Sequence, residues 1–183
     1  MKIAFIIIIS SFLFLSILSF ILYKTTAMNI FLILFITFIT IFYHLFMRLV
    51  VGGCVNAFKR EKTDYNKRWY RTSKTEIAFY KKIKVKMWKN LILSFDPSSF
   101  DLSIKKIDEV VDEMCKAEII HTIIFFLSYV PIFASIFVGC PLIFIITSFI
   151  ASLFDLSLVM VQRYNRNRII HSVTFYKKGG VEY

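Results

Sequence analysis

Four stretches of this chain, residues 3–22, 29–46, 119–138 and 142–161, are apolar almost without a break. Each approaches or exceeds the ~18–20 residues a helix needs to cross bilayer hydrocarbon. Backbone polar groups in lipid must be satisfied internally, which leaves helices or closed barrels, and these stretches lack the alternation of barrel strands. The expected fold is therefore all-α: an integral membrane protein with four transmembrane helices, read as a single membrane domain over residues 1–183. Composition points the same way. With 57% hydrophobic and 17% aromatic residues, the chain is too apolar for an ordinary soluble domain.

The net charge of +11 is placed unevenly, and the placement predicts topology. Residues 47–116 hold sixteen Lys/Arg against nine Asp/Glu, and residues 162–183 hold five against one. The first connection between spans carries only Lys24, and the last, Gly139-Cys140-Pro141, carries no charge. The positive-inside rule puts the basic segments and both termini in the cytoplasm. Such a surface suits membrane lipids with anionic headgroups and phosphate-bearing ligands, whereas nucleic acid is not an expected partner, because no binding motif accompanies the charge. The first run begins like a signal peptide, but its apolar core is long and Thr25-Thr26-Ala27 is a poor cleavage site, so it is expected to stay as an anchor. Cys54, Cys115 and Cys140 form no pairing pattern, and neither a disulfide nor a metal role is expected of them.

Ionisable groups at membrane depth are costly and mark functional positions by default. Glu118 and His121 enter the third apolar run three positions apart, which places them on one helix face. The plainer alternative leaves both in the headgroup layer, before the helix has entered the bilayer. His44 and Arg48 share a face at the end of the second run, where they would hold a phosphate or carboxylate, or simply snorkel. Asp155 lies inside the fourth run, on one face with Gln162, and calls for a partner among Arg48, His44 and the arginines that follow.

The connection over residues 59–98 is basic and aromatic. Ile77, Tyr80, Met87, Trp88 and Leu91 fit a helical face, while residues 83–87 alternate like a strand; either form would lie on the membrane surface. Gly52-Gly53 is expected to end the second helix, Asp96-Pro97-Ser98-Ser99 to break the connection, and an amphipathic helix to run from Ser103, with Asp101 or Ser103 as its cap, into the third span.

Ala117-Glu118-x-x-His121 and Gln162-Arg163-Tyr164-Asn165-Arg166-x-Arg168, with Phe79-Tyr80-Lys81-Lys82-x-x-Val85-Lys86-x-Trp88-Lys89, resemble the signatures of the glycosyl-4,4'-diaponeurosporenoate acyltransferases over roughly residues 69–169. These are small bacterial membrane proteins that acylate the sugar of a glycosylated carotenoid. The resemblance implies a cell-membrane acyltransferase that takes a fatty acyl group from a thioester donor, acyl-CoA or acyl carrier protein, to a hydroxyl of a glycolipid or lipid-linked acceptor, with no further cofactor. His121 and Glu118 are the catalytic candidates, as base and as the residue that orients it. Arg163 and Arg166 are the anion binders, and His44, Arg48, Asp155, Gln162, Tyr164, Asn165 and Trp88 complete the substrate site. Two other classes stay open: a non-catalytic scaffold recruiting a partner to anionic lipid through its basic face, and a metal-dependent membrane enzyme, for which one Glu-x-x-His supplies half the usual ligands.

Overall fold

The structure is a computed structural model that describes residues 2–58, 63–65, 67–88 and 100–178, with side chains over 3–172 of these. Among the described residues every regular element is helical. They are α1 (Lys2–Thr26), α2 (Asn29–Phe58), a 3-10 turn (Arg68–Tyr70), α3 (Lys74–Lys82), α4 (Val85–Trp88), α5 (Ile107–Leu127), α6 (Val130–Val138) and α7 (Pro141–Lys178). Four stretches are long and apolar enough to cross a membrane: Ile3–Thr26, Asn29–Phe58, Ile107–Val138 and Pro141–Ser172. They hold large apolar side chains outward, Phe137 at 89% exposure among them, as a chain solvated by lipid tails does.

The helices overrun the expected spans, and for local reasons. Gly52-Gly53 does not end α2, which continues to Phe58. Glycine permits a positive φ without requiring one, and here neither glycine adopts it. α5 starts at Ile107 rather than Ser103, because Asp101 Oδ1 accepts from both the backbone N–H (2.9 Å) and the hydroxyl (2.7 Å) of Ser103 and holds residues 102–104 in a turn. The third span is not one helix either. It breaks at Ser128-Tyr129, just before Pro131, whose missing N–H and ring exclude a continuous ladder. In the connection, residues 85–88 are helical, not a strand, and the turn before them takes Lys84 to φ 55°. Leu91 and the expected breaker at residues 96–99 lie outside the described residues.

The chain divides into two compact units, Met1–Val55 with Thr122–Asp155, and Asn56–His121 with Leu156–Tyr183. In the first, Phe12 packs on Phe38 and Phe20 on Phe35, with ring centroids 6.2 and 5.2 Å apart, joining α1 to α2. Polar stitches are few. Tyr43 Oη donates to the Leu127 carbonyl (3.0 Å), and the Tyr129 and Ser152 hydroxyls lie 2.9 Å apart. The second unit has two small cores, Tyr80, Val85, Val161 and Tyr164 in one, Tyr70, Val111 and Cys115 in the other.

Candidate active site

In the second unit α5 contributes Glu118, fully buried, and α7 contributes Arg163 and Arg166 three positions apart on one face. Glu118 Oε1 accepts from Arg163 Nη1 at 2.5 Å, and Oε2 accepts from Arg166 Nη1. A second carboxylate reaches the cluster from α3. Ser73 and Glu76 form a reciprocal capping box at the start of that helix, which sets Glu76 in the first turn, where its oxygens accept from Arg163 Nε (2.6 Å) and Nη2 (3.2 Å). The segment before α3 closes over the guanidinium groups with its backbone: the carbonyls of Trp69 and Arg71 accept from Arg163 at 3.0 and 3.2 Å, and that of Tyr70 accepts from Arg166 at 2.8 Å.

Two carboxylates thus face two guanidinium groups, the balance that buried charge requires. All five N–H donors of Arg163 are engaged, leaving none for an incoming anion. Arg166 is buried, its guanidinium 5.2 Å from the Tyr70 ring and its Nη1 also 3.6 Å from the Cys115 sulfur. Burial opposes the charge on Glu76, but the hydrogen bonds from Arg163 and Tyr80, Arg163's positive charge and the Ser73 backbone outweigh it and hold the carboxyl below its ordinary range. Burial, and donation to Glu76, push the Tyr80 hydroxyl well up.

The remaining candidates from the sequence fall in two places. His121 lies half-buried on α5, one turn beyond Glu118, and Gln162 and Asn165 are half-buried on α7. Tyr164 is buried edge-on to Tyr80, ring centroids 6.4 Å apart, and Trp88 packs against the same cluster. His44, Arg48 and Asp155 belong to the first unit. There Arg48 Nη2 binds Asp155 at 2.6 Å, its Nη1 donates to the His44 carbonyl at 3.2 Å, and the guanidinium lies 5.1 Å from the Phe154 ring centroid. The partner Asp155 calls for is therefore Arg48. Glu76, Tyr80 and the carbonyls of residues 69–71 were not among the candidates. The Ser73-x-x-Glu76 pattern is the one signal that would have marked the acid. Among the described residues no three His, Cys, Asp or Glu side chains come together as a metal site.

Fold and site together define a helical, multi-pass membrane protein with a buried carboxylate–arginine centre. The profile of the glycosyl-4,4'-diaponeurosporenoate acyltransferase family matches residues 66–174, more than half of the chain. The chain belongs to that family. The matched stretch holds Glu76, Glu118, His121, Arg163 and Arg166. No curated protein and no solved structure matches the chain.

Proposed function

We propose that the protein is a bacterial cell-membrane acyltransferase that moves a fatty acyl group from a thioester donor, acyl-CoA or acyl carrier protein, to a hydroxyl of a glycolipid or lipid-linked acceptor. The observation that carries this reading is the buried Glu118–Arg163–Arg166 centre within the stretch matched by an acyltransferase family, with His121 one turn along the same helix. His121 acts as general base: it takes the proton of the acceptor hydroxyl as the oxygen attacks the thioester carbonyl. The new C–O bond forms and the C–S bond breaks, and the proton passes from His121 to the departing thiolate. Glu118, held by Arg163 and Arg166, fixes the turn of α5 from which His121 acts. Arg163, with every donor engaged, acts by position: it ties residues 69–76 over the centre.

The test is mass spectrometry of lipids from cells with and without the chain, then turnover by purified variants. His121→Ala is expected to lower kcat by at least about 10²-fold on the acceptor so found. Full turnover by that variant would remove His121 as the base. Unchanged lipids in cells carrying the native chain would favour the scaffold.

A further inference from the structure

The hairpin of α3 and α4 has two unlike sides. Its inner side is spent on the second unit's core: Tyr80 and Val85 are buried against Val161 and Tyr164 of α7, with Ile83 and Trp88 packed beside them. Its outer side holds Phe79 and Met87 at 50% and 63% exposure, alongside exposed Lys81, Lys82, Lys84 and Lys86. Residues 77–88 contain no acid, and the nearest, Glu76, is occupied by Arg163 and Tyr80. Phe79 and Met87 flank the four lysines, so the exposed stretch carries apolar and cationic side chains together. The anchoring residues on α7 indicate where that stretch sits. Val161 ends the apolar run that began at Leu142, and Tyr164 lies in the polar string that follows, so the hairpin is pinned where a span-capable helix passes from apolar to polar.

We propose that this outer face is a binding surface for the headgroups of an anionic lipid leaflet. Phe79 and Met87 enter the boundary between headgroup and acyl chain, and the four lysines meet lipid phosphates. The reading is independent of acyl transfer. It needs only that the chain sits in a bilayer.

The protein's two tryptophans make the surface measurable. Trp69→Phe leaves Trp88 as the sole indole, packed within the hairpin. The full chain carrying that change is placed in nanodiscs of phosphatidylcholine with a fixed fraction of phosphatidylglycerol, and bromine is carried on the acyl chains of one lipid or the other. Brominated phosphatidylglycerol is expected to quench Trp88 more strongly than brominated phosphatidylcholine at equal mole fraction, and high salt to erase the difference. Changing Lys81, Lys82, Lys84 and Lys86 to Gln is expected to abolish the preference, each lysine lost weakening it about fivefold. The fourfold change to Arg keeps it, which separates lost charge from a damaged fold. Equal quenching by both lipids in the native hairpin, or a preference that survives the Gln variant, overturns the proposal. So does equal quenching accompanied by lysine-dependent binding of an acidic protein such as acyl carrier protein.

Discussion

Glu76 shows how one side chain on a short helix sets the condition under which the buried centre holds. Its carboxyl is depressed below its ordinary 4.5 in the folded chain, by hydrogen bonds that outweigh burial. A depressed acid contributes stability in full above its unfolded value and loses it as pH falls through the folded one. The thermal midpoint of the detergent-solubilised protein is therefore expected to be flat above about pH 5 and to fall as acid is added below it, with Glu76→Gln less stable at neutral pH and flatter toward acid. A native curve no steeper than that of Glu76→Gln would show that Glu76 is not the group. Removing Arg163 strands Glu76 and half of Glu118, and Arg163→Gln is expected to cost about 3–5 kcal/mol by the same melting experiment. Glu118, Arg163 and Arg166 were legible in the sequence because a charge beside an apolar run is conspicuous whatever the fold. Glu76 and the carbonyls of residues 69–71 were not. Glu76 reads as an ordinary first-turn acid of an exposed helix, and only docking against α7 turns it toward Arg163.

Helix ends show where local rules decide and where they yield. A proline cannot bond the carbonyl four residues before it, so Pro131 orphans the carbonyl of Leu127, the last residue of α5. Tyr43 Oη donates to that oxygen at 3.0 Å from α2. The tyrosine thus supplies the hydrogen bond that the proline removes, at a depth where no water substitutes. Tyr43→Phe is expected to destabilise the solubilised protein by about 1–3 kcal/mol, the cost of an unsatisfied buried acceptor. On a Pro131→Ala background the same change should cost less, because residue 131 regains an N–H for Leu127; equal losses on both backgrounds would sever the link. The break falls inside a stretch read as one unbroken span, 119–138, and its remedy comes from a residue 84 positions away, which leaves no local mark. Gly52-Gly53 errs in the other direction: a pair that reads as a stop lies within a helix, since nothing in the surrounding chain forces φ positive.

At the scale of the whole molecule, the four spans were legible because apolar length is a property of each stretch by itself, while the division into two units is made by contacts between distant residues and leaves no local mark. Orientation across the membrane is also a sum over the chain, carried by lysines and arginines near the span ends. The cysteines report on it. Cys54 is exposed near the end of α2, within the basic segment that begins at residue 47, and Cys140 lies in the uncharged link between α6 and α7, while Cys115 is buried against Arg166. If charge sets the topology, Cys54 shares a side with both termini and Cys140 lies opposite, because an odd number of spans separates them. A membrane-impermeant maleimide added to intact cells should then label Cys140 and leave Cys54 for reaction only after permeabilisation, with Cys115 unreactive until the protein is denatured. Single-cysteine variants assign each signal. Labelling of Cys54 from outside, with Cys140 protected, would reverse the orientation and put the basic segment and both termini on the outer side.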